Sequence, residues 1–385
     1  MIPASPDVVV VGGGIVGCSA AAFLADAGAR VTLVERDGLA SGASGANSGV
    51  VQHPFDLVLA QLYRATLAAY RDLSAMDAGF RLPDAPAGLL YCSRDGATVR
   101  DIAAGLAADF PELAVEVLSG PMLERLEPCL APGLWACRVE MGFPVQPGAS
   151  TYAYATLAER SGATIRLGRA ATLQLRGEAV IGVTIDGRRT ACDAVLVAAG
   201  PWTPAIIDPT VQWLPIRESW GVVVETDLPA GPAHVLEEAE IGAAIGSHSD
   251  LPNGTAAEGL VDVSLVPLGG TATIGSTFLR EQPRPEAWTE RILARAATFV
   301  PSVADAPIRS VRACARPLSL DGRPLVGPLS DRRDLFVCAG HGPWGISTGP
   351  GSARLIVDEM LGRDPDIPAE LDPLRFGSWY ALAGG

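Results

Sequence analysis

The chain has 385 residues, 48% of them hydrophobic, which is too much for one ordinary core and implies two domains. Its net charge of −14, with no basic patch, excludes nucleic acid as a partner. All 29 basic residues are Arg, so chemistry that needs a lysine, in a Schiff base or a P-loop, is excluded too.

The first elements are the most informative. Val8–Val11 is followed by Gly12-Gly13-Gly14-Ile15-Val16-Gly17, an Ala-rich run to Arg30, then Val31–Val34 and Glu35-Arg36. This reads as a strand, a Gly-rich turn, a helix and a second strand ending in an acid, the pattern that binds a dinucleotide. Gly12 permits the tight turn, Gly14 lets a pyrophosphate approach the backbone, and Gly17 lets the helix pack on the sheet. The helix opens at Ile15 and Val16, and its free N–H groups and partial positive charge face the phosphates. Glu35 stands where a carboxylate can accept hydrogen bonds from a ribose hydroxyl. The uncharged run Val8–Ala25 is also about long enough to span a membrane. Four glycines in its first half and the lack of a basic flank argue against that, so no membrane span is expected.

The next stretch, Ser41 to Val50, is a small, polar, Gly-rich loop suited to wrapping a ligand with backbone N–H groups and hydroxyls. Residues 56–78 read as an amphipathic helix with Leu57, Leu59, Leu62, Leu67, Tyr70 and Leu73 on its apolar face. Short elements follow to about Met141, then a helix from Ser150 to Ser161 and a strand over Thr164–Leu167. A hairpin joins Ala171–Leu175 to Val180–Ile185 through Arg176-Gly177-Glu178, and Ala194–Ala198 is a buried strand. Trp220–Glu225, Leu260–Val266 and Thr271–Ser276 alternate as strands, Pro285–Val300 is a helix, and Leu335–Cys338 is a last buried strand before a helix ending at Met360.

Dinucleotide-type elements thus occur at the start, middle and end, with mainly β segments between them. The expected fold is α/β (α+β overall): a Rossmann-like domain of residues 1–80, 145–205 and 310–385, and a discontinuous, mainly antiparallel β substrate domain of residues 81–144 and 206–309. Seven dispersed cysteines without a CxxC pair, and four scattered histidines (His53, His234, His248 and His341), give no metal site. Reduced thiols and the lack of a targeting signal suit the cytoplasm.

Five motifs in order resemble the FAD-dependent amino-acid oxidase superfamily, which holds D-amino-acid, glycine and sarcosine oxidases. They are Gly12–Gly17 with Glu35-Arg36, the Ser41–Val50 loop, Val197–Trp202, Arg316-Pro317 through Asp321-Gly322-Arg323-Pro324, and Gly340–Ser347. Five ordered motifs point to FAD, and no second GxGxxG supports a separate NAD(P)H site. The resemblance implies that Gly12, Gly14 and Gly17 cradle the pyrophosphate, that Glu35 holds the adenosine ribose, and that Arg36 lies near the adenine. It implies that Ser41, Ser44, Asn47, Ser48, Gly49 and Val50 line the pyrophosphate and the inner flavin edge. Ala171 would meet the adenine, and Ala199, Gly200 and Trp202 would close the adenosine side. Gly342, Pro343, Trp344, Gly345, Ile346 and Ser347 would face the N1–C2=O edge of the flavin.

By the same resemblance Arg316 grips the substrate carboxylate, for which a guanidinium is chemically suited. Cys314 has the spacing of the cysteine that binds the flavin covalently in monomeric sarcosine oxidases, although non-covalent FAD is the first expectation. Those oxidases use lysines, and this chain has none; Trp344 falls about where one would be. His341 and Trp344 would shape the flavin pocket, while His53 and His234 are weaker candidates. The implied reaction oxidises the C–N bond of a small amino acid or secondary amine by hydride transfer to flavin N5, and the imine then hydrolyses. Reoxidation would be by O2 or another acceptor. The alternatives are oxidation of a 2-hydroxy acid or glycerol 3-phosphate, which wants a base at the hydroxyl, and a flavin subunit of a heteromeric amine dehydrogenase. A homo-oligomer is open as well.

Overall fold

The protein is described by a computed structural model over residues 5–76, 78–176, 179–210, 212–239, 261–329 and 334–377. The expected turn residues Gly177 and Glu178, and His248, lie outside the described residues.

A six-stranded sheet runs in the order Leu325–Pro328, Leu335–Ala339, Ala194–Val197, Asp7–Val11, Arg30–Val34, Thr164–Arg166. It is parallel except for its first strand. The run of four valines follows from burial on both faces. Val8 and Val10 pack under the helices Ile15–Asp26, Leu57–Ala75, Ala149–Arg160 and Gly345–Met360. Val9 and Val11 pack under a three-stranded sheet through Val183 and Ile185. The apolar run Val8–Ala25 is therefore divided between a strand and a 12-residue helix. Among the described residues, no helix is long and apolar enough to cross a membrane.

The Leu57–Ala75 helix starts at Asp56, whose side chain accepts the N–H groups of Val58 and Leu59, both at 2.9 Å. Leu59, Leu62, Tyr70 and Leu73 are buried as expected, but Leu57, in the first turn, is 68% exposed. Tyr63 and Thr66 complete the buried face instead.

An eight-stranded sheet carries the other half of the molecule, in the order Ile308–Ser319, Ile216–Asp227, Thr271–Thr277, Val261–Leu268, Val235–Glu238, Leu89–Ser93, Trp135–Val139, Val115–Ser119. All neighbours are antiparallel except Val235–Glu238 with Leu89–Ser93. Period-two alternation decides its two faces. Val222, Val224, Val263, Leu265, Leu236 and Ile274 pack against the Glu286–Ala297 helix. Gly221, Val223, Ser264, Gly275 and Glu237 turn the other way, into a cleft against the six-stranded half.

One boundary differs from expectation. The division at residue 310 falls inside the Ile308–Ser319 strand, which pairs along its whole length with Ile216–Asp227 and so belongs to the eight-stranded sheet. Three arginines interrupt its apolar pattern, which hides the strand from a reading of periodicity.

Candidate active site

The cleft between the two sheets is one continuous cavity of about 390 Å³, running from the first Gly-rich turn to Arg316. At its start, Gly12 leaves the Asp7–Val11 strand at φ +120°, where a side chain would overlap the carbonyl of Ala198. Its N–H donates to Val34 O at 2.9 Å, which ties the turn to the second strand. Gly14 caps the Ile15–Asp26 helix, and Val16 and the Ile15 N–H stand at the cleft, the N–H donating to Ser44 Oγ at 2.9 Å. Gly17 does not line the cleft: its missing side chain lets the helix close onto the carbonyl of Gly12.

Glu35 is fixed by its own backbone surroundings. Oε2 accepts the Gly13 N–H at 2.7 Å, and Oε1 accepts the Asp37 N–H at 2.8 Å. Each carboxylate oxygen keeps a second lone pair for a ribose hydroxyl. Arg36 lies 4.8 Å from the centroid of the Trp202 ring, and both line this end together with Ala171, Ala199 and Gly200.

Ser41, Ser44, Asn47, Ser48 and Val50 line the middle of the cleft. Asn47 spends its side chain on the loop itself, donating to Ala43 O and Ser44 O and accepting the Gly49 N–H at 2.8 Å. Gly49, at φ +83°, sits outside the main cavity against Val145 and Pro147. Arg312 holds the loop to the eight-stranded sheet by donating to Asn47 O at 3.2 Å and to Glu225 at 3.0 Å.

At the far end, Gly342, Pro343, Trp344, Gly345, Ile346 and Ser347 wrap the start of the Gly345–Met360 helix. Arg316 rises from the Ile308–Ser319 strand across Gly221, where any side chain would overlap the guanidinium. The guanidinium donates to Thr277 O at 2.8 Å and to Ser276 Oγ, and stacks 4.5 Å from the Phe278 ring centroid. The charge of Asp262 also acts on it. Burial lowers its pKa, a cost that a bound carboxylate would offset.

Cys314 lines the same wall; burial pushes its thiol up, against the pull of Arg316 and Arg312. His341 also lines the cavity, with Nε2 3.0 Å from Ser352 Oγ, and burial lowers its pKa to about 4. The other two described histidines are elsewhere. His53 packs among Phe55, Tyr63 and Phe110, and His234 is held by Glu127 at 2.5 Å. No metal-binding group of His, Cys, Asp and Glu occurs among the described residues.

The structure adds residues that the sequence did not single out: Gly221, Gly275, Ser276, Phe278, Gln52 and Glu237 all line the cavity. A glycine inside a strand, as at 221 and 275, is the local signal of close approach among them.

The cleft therefore offers a side-chain-free turn at a helix start, an acid at the second strand, and a helix start at its far end. That is a fit to a dinucleotide with an anionic head. The pattern of the family described as FAD dependent oxidoreductase matches residues 7–359. The chain belongs to this family. The enzyme is 29% identical to a D-amino acid dehydrogenase from Methylobacterium radiotolerans, over 97% of this chain and 100% of that protein. It is 28% identical to a glycine oxidase from Pseudomonas aeruginosa, over 96% of this chain and 99% of the relative. The crystal structure of glycine oxidase from Geobacillus kaustophilus superposes with a TM-score of 0.81 at 22% identity, covering 97% of this chain and 99% of that one. The resemblance read from the five motifs, the α/β fold and the FAD dependence of the oxidoreductase are borne out.

Proposed function

We propose that the enzyme oxidises the C–N bond of a small amino acid or secondary amine, with the substrate carboxylate held by Arg316. The observation that carries this is the guanidinium itself: it faces the cavity and is held there by Ser276, Thr277 and Phe278. Two parallel hydrogen bonds from a guanidinium would fix the α-carbon in one orientation, which is the larger part of what hydride transfer needs from a protein. FAD, when bound, supplies the hydride acceptor. Gly12, Gly14, Ser44 and Glu35 would hold its nucleotide part, and the Gly342–Ser347 segment would face its reactive end. The relatives named D-amino acid dehydrogenase and glycine oxidase support the same class of substrate.

Oxidation of a C–OH bond is the weaker reading: the relatives point to amino acids, and no described histidine is suited to take the hydroxyl proton. His341 is the one described histidine that lines the cavity, and a pKa of about 4 makes it a poor proton acceptor. Seven unpaired cysteines support a reducing compartment, the cytoplasm.

The test is anaerobic loss of the flavin's visible absorbance with two separate pools. One holds D- and L-amino acids, glycine, N-methyl and cyclic amino acids; the other holds 2-hydroxy acids and glycerol 3-phosphate. Reduction by the first pool alone supports the proposal. Reduction by the second alone overturns it.

A further inference from the structure

Glu237 is a buried carboxyl in the active-site cavity that the reading above does not use. It lies on the short Val235–Glu238 strand, whose alternation fixes its direction. Leu236 packs on the Glu286–Ala297 side and Glu238 pairs with Arg295 of that helix, so Glu237 faces the cleft. The residue is only 5% exposed. Oε1 accepts from Gln52 Nε2 at 3.0 Å, while Oε2 meets no donor in full hydrogen-bond geometry, although the Tyr91 hydroxyl is close enough to pull the carboxyl's pKa down against burial. Tyr91 stands beside it on the neighbouring strand, and burial first and the Glu237 charge second raise that phenol's pKa. No Arg or His among the described residues pairs with Glu237, and the chain has no Lys.

Gln52 repeats the pattern. Its N–H is anchored on Ser347 Oγ at 3.0 Å and its amide donates to Glu237, but its Oε1 is buried without a partner. Two buried acceptor oxygens, one of them on a carboxylate, therefore border the cavity that also holds the guanidinium of Arg316. Buried acceptors without donors are costly, and a ligand that brings N–H donors removes the cost. Strand register supplies the floor between them. Glu237, Ser264, Gly275 and Val223 lie side by side on adjacent strands, and all four border the cavity. Ser264 and Gly275 are small, which leaves room for a substrate laid across the sheet.

We propose that Glu237 and Gln52 receive the amino group of the substrate, and that Glu237 takes its proton. This rests on the reading of Arg316 as the carboxylate site. An ammonium N–H bond breaks, an O–H bond forms on Glu237, and the freed lone pair leaves the nitrogen neutral before the hydride departs from carbon. Burial raises the pKa of Glu237, which suits a proton acceptor better than an ordinary carboxylate. The groups that face it are Gln52, Tyr91 and Ser264, with Arg316, Cys314 and His341 across the cavity and Asp262 acting on Arg316.

The experiment compares wild type with Glu237→Gln as FAD-loaded enzymes. The limiting rate of anaerobic flavin reduction by the best amino acid is followed against pH, and the binding of acetate is read from the shift of the flavin spectrum. The expected result is a loss of about a hundredfold in the reduction rate at neutral pH. The loss should shrink as pH approaches the ammonium's own pKa, with acetate binding unchanged. An equal loss at every pH, an equal weakening of acetate, or no loss at all overturns the role of Glu237 while leaving the amine reading intact. Failure of every amino acid to reduce the wild-type flavin overturns both.

Discussion

Gly221 and Arg316 share one space: on adjacent antiparallel strands, the glycine provides the room that the guanidinium fills. Arg316 is registered opposite Ser219, two residues from Gly221, so its side chain lies diagonally across the sheet and not straight up from it. That diagonal brings it to Ser276, Thr277 and Phe278 on the next strand and beyond. The proposed carboxylate site is thus a product of three chain segments far apart in sequence.

Gly221→Ala should displace the guanidinium without removing it. A hydrogen bond to a charged group is worth about 1.5–3 kcal/mol, so KM for a carboxylate substrate should rise roughly ten- to a hundredfold. Flavin content should stay that of the wild type, since Gly221 contacts the arginine and not the nucleotide turn. Steady-state kinetics on the purified variant checks this; an unchanged KM would remove Arg316 from the carboxylate site.

Glu35 holds two backbone donors, Gly13 N–H and Asp37 N–H, and in doing so sets the shape of the turn proposed to receive the cofactor. Glu35→Ala leaves the part-buried Gly13 N–H without its acceptor, while the exposed Asp37 N–H turns to water. With about 1–3 kcal/mol lost, the Kd for FAD should rise about five- to a hundredfold. Titration of the apoprotein with FAD, followed by quenching of flavin fluorescence, measures it. An affinity equal to wild type would remove Glu35 and its turn from the FAD site.

These two sites differ in how far the sequence reveals them. Gly12, Gly14, Gly17 and Glu35 lie within one βαβ unit, so their spacing alone encodes the arrangement. Arg316 is legible only through the order of motifs, because its strand carries three arginines and reads as no strand at all. Glu237, Ser276 and Phe278 are not legible. They reach the cavity through pairings among strands beginning at residues 216, 235, 261 and 271, and no local pattern records which strand lies beside which. Gly17 and Gly49 show the converse: both are essential to the backbone path, yet neither borders the main cavity.

Cys314 stands at the cavity wall 6% exposed, between two arginines. Burial raises its thiol more than the two cations lower it, which leaves little of the thiolate that a covalent bond to the flavin would require. Precipitation of the holoenzyme with acid should therefore give a colourless pellet and a yellow supernatant. A yellow pellet would establish covalent attachment, and loss of that colour in Cys314→Ser would place it.

Two buried histidines give the enzyme a defined response to acid. Burial lowers the pKa of both His53 and His341 from the ordinary 6.5 to about 4. Between these values the unfolded chain binds protons that the folded one refuses, so stability is fully present above about pH 6.5 and falls as pH drops towards 4. His53 is the cleaner probe because it lies away from the cavity. Its Nδ1 accepts the Phe55 N–H at 3.1 Å, and its ring packs against Tyr63 and Phe110. His53→Asn keeps an acceptor for that N–H but cannot ionise. The variant should be less stable than wild type at neutral pH through lost packing, yet lose less on acidification. Denaturant unfolding at a series of pH values reads both effects, and an unaltered pH slope in the variant would assign the acid sensitivity to His341 and the carboxylates.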